Sequence, residues 1–421
     1  MPLSRRRLLT LAPAAGLLLP GRLGRATRSA SERRFLFIFA EGGWDTTFAF
    51  TPQFDSPHVD MPANALAAEI GGIPFVDHPE IPALRQYLKR YSSQTCVING
   101  LEIPSVAHEM SQRLILTDSS LQGFDDWPSI LAGHATTAPI APMLHISGPT
   151  FAAQYASSVV RIGTTGQLTA LLDGTALTES THSVTVPSST AEALENARAI
   201  ARAEAYQATV GSGRGAQIAQ TAAHLESQMG AFSGYADQLS FSSSTDLIDQ
   251  LAVPLSFLSS GASRCAMVSY KAWNGVFNGW DTHEELTLQA PHFEELFTAL
   301  THVLDTLTAT PGLSGGTLAD EITIVVLSEM GRTPLLNSTN GKDHWTYTSA
   351  MLIGAGVAGG QAIGGYTNQL LGEKTDLSSG TVTDHGVDLL PGHIGATLLA
   401  LGDVDPGLYT DEAKVITAAL A

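Results

Sequence analysis

Several features that are common in proteins are scarce in this sequence, and each scarcity excludes a kind of site. Only two cysteines, Cys96 and Cys265, occur among the 421 residues, so they are too few for a thiolate zinc site. Each lies beside a strand-like run, and we expect two buried thiols; a disulfide formed outside the cytoplasm is the alternative. Beyond the N-terminal region, no apolar run reaches the roughly 18 residues needed to span a membrane.

Basic residues are also scarce, since 22 Lys and Arg stand against 40 Asp and Glu and give a formal net charge of −18. Residues 1–30 contain six Arg and no acidic residue, so the rest of the chain carries a formal charge of −24. A surface of this kind repels nucleic acid and anionic membranes, and we expect neither as a partner. An anionic substrate would need a local cation to offset this field.

The N-terminus has the pattern of an export signal. Residues 4–9 read Ser-Arg-Arg-Arg-Leu-Leu, which resembles the twin-arginine consensus, and an apolar stretch to about Pro20 follows. Small residues offer cleavage sites, with Ala26 or Ala30 the preferred ones, and an uncleaved anchor is the alternative. We therefore predict a signal peptide over residues 1–30, the twin-arginine machinery as a partner, and a periplasmic or extracellular location. This pathway carries folded proteins, which suits a protein that acquires a metal before export.

The rest of the chain alternates between strand-like and helix-like segments. Amphipathic periodicity predicts helices over Ile81–Tyr91, His292–Leu307 and Ile394–Leu401. Apolar runs predict strands at Arg34–Phe39, Thr95–Asn99, Leu144–Ser147, Val159–Ile162, Ser183–Val186, Ala266–Tyr270, Ile322–Leu327 and Ser349–Gly354. This alternation predicts an α/β fold, a three-layer α/β/α sandwich with a mainly parallel sheet.

We expect one domain over residues 31–421, interrupted by an insertion. Residues 190 to about 258 are rich in Ala, Glu and Gln, a composition that favours helices, and a Gly-rich run at 211–215 divides them. A second Gly-rich run, Gly354–Gly360, lacks the spacing of a nucleotide-binding loop and is interpreted as a turn between strands.

Four polar clusters come soon after predicted strands, where open α/β folds place their chemistry. They contain Glu41 and Asp45; Ser105, His108 and Glu109; Asp281 and His283; and Glu329, Arg332, Asp343 and His344. Carboxylates with imidazoles suit Zn²⁺, Mn²⁺ or iron, whereas carboxylates alone favour Ca²⁺ or Mg²⁺. Their convergence predicts a metal site, and the planar fork of Arg332 is a candidate anion clamp.

Each cluster also has a structural interpretation. An isolated Asp such as Asp45 often caps a helix or forms a turn, and Glu329 with Arg332 could form an ion pair. Asp281 and His283 share a face only in extended or turn backbone, and Asp343 with His344 reaches one centre only on a bent loop. The Gly-Trp-Asp sequence occurs twice, at 43–45 and 279–281, which is consistent with two similar turns.

At these residues the chain resembles the exported bacterial proteins of domain-of-unknown-function family 1501, within the alkaline phosphatase-like (sulfatase-like) superfamily. The most specific matches are Ser328–Pro334, which reads Ser-Glu-Met-Gly-Arg-Thr-Pro, and Gly341–Trp345, which reads Gly-Lys-Asp-His-Trp. The other matching segments are the twin-arginine start, Phe37–Phe39, Gly42–Asp45, Gly279–His283, Gly354–Gly365 and Ala396–Gly402.

The resemblance implies an α/β/α fold with metal ions at the strand ends. From this resemblance we predict one or two divalent ions, for which zinc, calcium, magnesium and manganese are the candidates. The predicted ligands are Asp45, Asp281, His283, Glu329, Asp343 and His344. Superfamily members place a hydroxyl or modified thiol nucleophile after the second strand, where Ser105 is the nearest candidate and Ala107 stands immediately before the His. Met330 stands where many members have a ligating His.

These residues favour an exported, metal-dependent hydrolase that acts on a small anionic phosphate or sulfate ester. Ser105 is the candidate nucleophile, His108 the candidate acid or base, and Arg332 the candidate anion clamp. The alternative is a non-catalytic exported binding or assembly protein with a degenerate site, which Met330 and the ambiguous Ser105 segment motivate.

Overall fold

The computed structural model describes residues 32–137, 139–162, 246–271, 279–284, 286–410 and 413–421, together with single positions between 190 and 205. Those single positions are helical. The predicted signal peptide, the predicted strand at 183–186 and most of the predicted insertion lie outside the described residues. Among the helices that are described, none has the length and hydropathy needed to cross a membrane.

The described strands and helices alternate along the chain, as the sequence predicts. The strands are β1 (Arg34–Ala40), β2 (Leu66–Ile70), β3 (Ile73–Asp77), β4 (Thr95–Glu102), β5 (Met143–His145), β6 (Val159–Arg161), β7 (Cys265–Tyr270), β8 (Ile322–Leu327), β9 (Gly331–Arg332), β10 (His344–Trp345), β11 (Tyr347–Gly354) and β12 (Gln361–Ile363). The helices are α1 (Pro82–Tyr91), α2 (His108–Thr117), α3 (Trp127–Gly133), α4 (Leu247–Ser260), α5 (Gln289–Ala309) and α6 (Pro391–Leu401).

Eight of these strands form the central sheet, in the order β12-β4-β11-β8-β1-β7-β5-β6. Strand β11 runs antiparallel to β4 and β8, while every other neighbouring pair described in this sheet is parallel. The strands β1, β4, β7 and β8 therefore all end at the same edge of the sheet. Because β11 is reversed, the residues that precede it also lie at that edge.

The two faces of the sheet are buried under separate sets of helices. In β1, Leu36 and Ile38 join a core that includes residues of α1, α4 and α5. The alternate residues Phe35, Phe37 and Phe39 join a second core with residues of α2, α3 and α6. This alternation follows from the two-residue period of a strand, and burial on both faces explains why β1 is apolar after Arg34. The predicted three-layer α/β/α sandwich is confirmed.

The two thiols lie far apart in this sheet. Cys96 is on β4 and Cys265 on β7, with β11, β8 and β1 between them. Four steps of about 4.8 Å separate them by about 19 Å, well beyond the Cα separation that a disulfide allows. Burial raises the pKa of both thiols to about 12. They are two buried thiols, as expected, and the alternative of a disulfide does not apply.

Some elements have no prediction in the sequence analysis. The hairpin of β2 and β3 is one, because Leu66, Ala67 and Glu69 are exposed and the segment lacks a continuous apolar run. Helix α2 is another, and it begins at His108 inside one of the polar clusters. The Gly-rich run Gly354–Gly360 connects β11 to β12, as predicted.

Candidate metal centre

The predicted polar clusters follow the ends of four parallel strands. Asp45 follows β1, His108 follows β4, Asp281 follows β7 and Glu329 follows β8. His344 lies in β10, just before the reversed strand β11. The topology thus brings segments that are far apart in sequence to one edge of the sheet.

Two imidazoles point their Nε2 atoms at the same carboxylate oxygen. The Nε2 atoms of His283 and His344 are each 3.1 Å from Asp281 Oδ1 and 2.9 Å from each other. The Nδ1 atom of His283 lies 3.0 Å from Asp343 Oδ1, and that of His344 lies 2.7 Å from the carbonyl of Val106. Because these partners only accept, each Nδ1 donates to its partner, and the Nε2 atom of each ring lies beside Asp281 Oδ1.

A third imidazole completes the group. His108 Nδ1 lies 3.0 Å from Glu329 Oε1, and its Nε2 lies 3.4 Å from Asp281 Oδ2. Hydrogen bonds to Asp281 and then Glu329 raise the pKa of His108 to about 9. One ligand atom each from His108, Asp281 and His344 lies within 4.8 Å of the others. We call His108, Asp281, His283 and His344 the acceptor cluster.

Donors outside the acceptor cluster hold it in place. Arg332 is buried and donates from Nη2 to Asp281 Oδ1 at 2.7 Å. Burial alone would raise the pKa of Asp281, but hydrogen bonds from His108, His344 and Arg332 outweigh it and lower that pKa. Hydrogen bonds from His283 and Asn337 lower the pKa of Asp343.

The guanidinium of Arg332 is bonded mainly to backbone carbonyls. Nε donates to Gly43 at 2.9 Å, Nη1 to Lys342 at 3.2 Å, and Nη2 also to Gly42 and Trp280. In this geometry Arg332 joins the loops that follow β1, β7 and β8, which is a positioning role. The role of anion clamp stays a prediction. The alternative of an ion pair with Glu329 is not seen among the described contacts.

Glu329 is fully buried beside the acceptor cluster. Its Oε1 accepts from the backbone N–H of Gly42 at 2.8 Å and lies against His108. Within the described residues its Oε2 has no hydrogen-bond partner. A buried carboxylate oxygen without a donor is costly, and a nearby cation would lower that cost.

Asp45 has a different set of contacts. Its Oδ1 accepts from the backbone and hydroxyl of Thr47 at 3.0 and 2.7 Å, and its Oδ2 lies 2.9 Å from Lys342 Nζ. Asp45 caps the short 3₁₀ turn Thr46–Phe48, the structural role that the sequence left open. The described contacts do not join it to the acceptor cluster, and its role as a metal ligand stays a prediction.

Ser105 and Met330 lie at the edges of the predicted site. The Ser105 hydroxyl accepts from the backbone N–H of Ala107 at 3.1 Å, a local turn before α2, and among the described contacts it bonds to no member of the acceptor cluster. Its role as a nucleophile stays a prediction. Met330 is fully buried, and a Cβ on Gly43 would lie 2.7 Å from its Cγ. Its side chain therefore packs against the β1 loop.

Close backbone packing explains why Gly341 precedes the Lys-Asp-His sequence. A Cβ at Gly341 would lie 1.9 Å from the carbonyl oxygen of His283, so only glycine permits this approach. Asn337 adds a second tie, since its Nδ2 donates to that same carbonyl at 2.8 Å and to Asp343 Oδ1 at 3.2 Å. These contacts set the loop of His344 against the loop of His283.

Two buried residues of the site were not predicted. Lys342 pairs with Asp45, and Gln289 accepts from the Asp45 N–H at 2.9 Å while donating to Trp280 and Thr282. Lys342 lies within the matching Gly-Lys-Asp-His-Trp segment, which was a usable signal. Gln289 begins α5 and carries no such signal in the sequence.

Comparisons with solved structures give distant likenesses. The lipoteichoic acid synthase LtaP from Listeria monocytogenes is 9% identical, with 93% of this chain and 77% of that one covered at a TM-score of 0.39. The phosphoethanolamine transferase EptA from Neisseria meningitidis is 10% identical, with coverages of 93% and 58% and a TM-score of 0.38. A Pseudoalteromonas sp. sulfatase is 9% identical, with coverages of 93% and 72% and a TM-score of 0.36. At this distance nothing about the activity of the chain follows.

The comparison with protein families is more direct. No curated protein gave a significant match to the sequence. The profile of a family described as "Protein of unknown function (DUF1501)" matches residues 32–384, which include every predicted site residue. As its motifs predicted, the chain therefore belongs to the DUF1501 family.

Proposed function

We propose that this protein is an exported, metal-dependent hydrolase that cleaves a phosphate or sulfate ester. The observation that carries the proposal is the acceptor cluster, in which three Nε2 atoms approach one carboxylate. The Nε2 atoms of His283 and His344 lie close to each other and to Asp281 Oδ1, so a cation among these three atoms would be bound by all of them. An acceptor on each Nδ1 atom is the arrangement typical of metal-ligating histidines.

Asp281, His283 and His344 would hold the ion, and His108 would serve either as a further ligand or as an acid or base. Nitrogen and oxygen ligands together suit Zn²⁺, Mn²⁺ or iron better than Ca²⁺ or Mg²⁺. A bound divalent ion supplies Lewis acidity to an ester oxygen and lowers the pKa of a bound water. Arg332 fixes Asp281, while Asp343 and the Val106 carbonyl fix the two rings.

The proposal includes export, which the sequence of residues 4–9 supports. Replacing Arg5, Arg6 and Arg7 together by Lys keeps the charge but removes the arginine pattern. We expect the wild-type protein in the periplasmic or secreted fraction and the variant in the cytoplasm. Export of the variant at the wild-type level would remove the twin-arginine part of the proposal.

Metal content and ester hydrolysis test the central claim. We expect the purified protein to contain stoichiometric metal by elemental analysis and to hydrolyse p-nitrophenyl phosphate or p-nitrophenyl sulfate in a metal-dependent way. Asp281→Asn removes an anionic ligand, so turnover should fall by at least about 100-fold. Asp55→Asn, at an exposed site, is the matched control and should leave turnover unchanged. A protein that contains no metal as purified and binds none after incubation with metal would contradict the proposal.

A non-catalytic binding protein is the second candidate, and the local turn of Ser105 favours it. Because the Ser105 hydroxyl bonds within its own turn, this candidate nucleophile is not part of the acceptor cluster. This candidate predicts metal binding without turnover on any ester of the panel. Metal-dependent turnover that Asp281→Asn abolishes would exclude it.

A further inference from the structure

A second polar cluster lies in the same loops as the acceptor cluster, but in it a buried ammonium faces a buried carboxylate. Lys342 and Asp45 are both fully buried, and Nζ lies 2.9 Å from Oδ2. The same ammonium donates to the hydroxyl of Thr47 at 3.0 Å, and that hydroxyl bonds to Asp45. Gln289 accepts from the Asp45 N–H. Each charge here already has its partner.

The buried ammonium of Lys342 disfavours a second ion beside Asp45. The site contains four carboxylates, and Arg332 and Lys342 are two cations bonded directly to them. A second ion beside Asp45 would face the buried ammonium of Lys342, and the low dielectric of the interior strengthens that repulsion. The carboxylates are Asp45, Asp281, Glu329 and Asp343.

We propose that Lys342 occupies the cation position beside Asp45, so that each chain binds a single metal ion. This inference rests on the proposed metal site and decides between the one or two ions that the sequence left open. Lys342 is also a positioning residue, because its carbonyl accepts from Arg332 and its neighbours in the chain are Asp343 and His344. The buried ammonium thereby ties the loop of the acceptor cluster to the loop that follows β1.

The number of bound ions tests this inference. The full chain is incubated with excess Zn²⁺ or Mn²⁺, desalted, and examined by native mass spectrometry and elemental analysis. We expect one ion per chain. Two ions in the wild-type protein would overturn the inference and leave the proposed metal site intact, whereas no ion would overturn the proposed site itself.

Two variants examine the role of Lys342 directly. Lys342→Met leaves Asp45 without its cation, and we expect a second equivalent of metal to bind. If this variant does not fold, the double variant Asp45→Asn with Lys342→Met removes both charges at nearly constant size. We expect the double variant to keep one ion, with an affinity about 10-fold to 100-fold lower because its loop is less firmly held. Loss of the single ion in a folded double variant would assign Asp45 to the metal and contradict the inference.

Discussion

The two edges of the central sheet both bury charged side chains, but they arrange them in opposite ways. At the edge where β1 and β8 begin, Arg34 pairs with Glu321, and Arg264 donates to the carbonyls of Leu131, His134 and Gly402. Donors there meet acceptors. At the edge where these strands end, three imidazoles of the acceptor cluster converge on the single carboxylate of Asp281. The comparison teaches that burial and charge alone do not distinguish the two edges, whereas the convergence of imidazoles on one carboxylate is what supports the proposed metal site.

The largest effect is expected from breaking the ion pair at the edge where β1 and β8 begin, which we call the paired edge. Glu321 pairs with Arg34 and also accepts from the backbone N–H groups of Leu313 and Ser314. The substitution Glu321→Ala therefore removes these bonds and leaves Arg34 buried without this anion. Removing one partner of a buried pair typically costs about 3–5 kcal/mol of unfolding free energy. Urea denaturation measures it, with the exposed Glu69→Ala as a control expected within about 0.5 kcal/mol.

The same variant sharpens the comparison through its metal content. If the paired edge is purely structural, folded Glu321→Ala protein still binds the wild-type amount of metal. A normal unfolding free energy, or loss of metal from the folded variant, would contradict the division between the two edges.

A smaller effect is expected from the outer support of the acceptor cluster. Asp343 is exposed and orients the ring of His283 through Nδ1. Asp343→Asn weakens this support without removing a group that approaches Asp281, so metal affinity should fall about 10-fold to 100-fold while the number of bound ions stays the same. Competition with a chromophoric chelator measures the affinity, and Asp55→Asn is the control. A lower ion count in Asp343→Asn would instead make Asp343 a ligand, as the sequence predicted.

The smallest effect concerns the pH dependence of the paired edge. Burial alone would raise the pKa of Glu321, but hydrogen bonds from Ser314 and Leu313 and the charge of Arg34 outweigh it and lower that pKa. A lowered pKa stabilises the fold above the unfolded value of about 4.3, and this contribution is lost as the pH falls through the folded value. The stability difference between wild type and Glu321→Gln should therefore be full at pH 7 and shrink in acid. Urea midpoints between pH 7 and pH 3 measure it; a difference that grew in acid would contradict this sign.

The sequence predicted much of the fold because the signals that form the sheet are local. The run Ile322–Leu327 is apolar except for Thr323, and it is a strand buried on both faces with those bounds. The segment Leu66–Ile70 is partly exposed and has no such long apolar run, so the hairpin that it forms was not predicted.

The site was predicted in its residues but not in their pairing. Asp281 and His283 follow a strand, so their approach to the edge could be foreseen. The partner of Asp45 is Lys342, nearly 300 positions away, and no local pattern shows which carboxylate receives an internal cation. For the same reason, the sequence suggested an anion clamp at Arg332, whose donors face carbonyls from three separate loops.

The reversed strand β11 has a consequence for the order of folding. His344 precedes β11 in the chain and lies at the edge because β11 is reversed, while its cluster partners begin at His108, more than 200 positions earlier. No fragment that ends before β10 contains all the residues of the cluster. A bound ion would therefore stabilise only chains in which the strand ends that surround it are already in place.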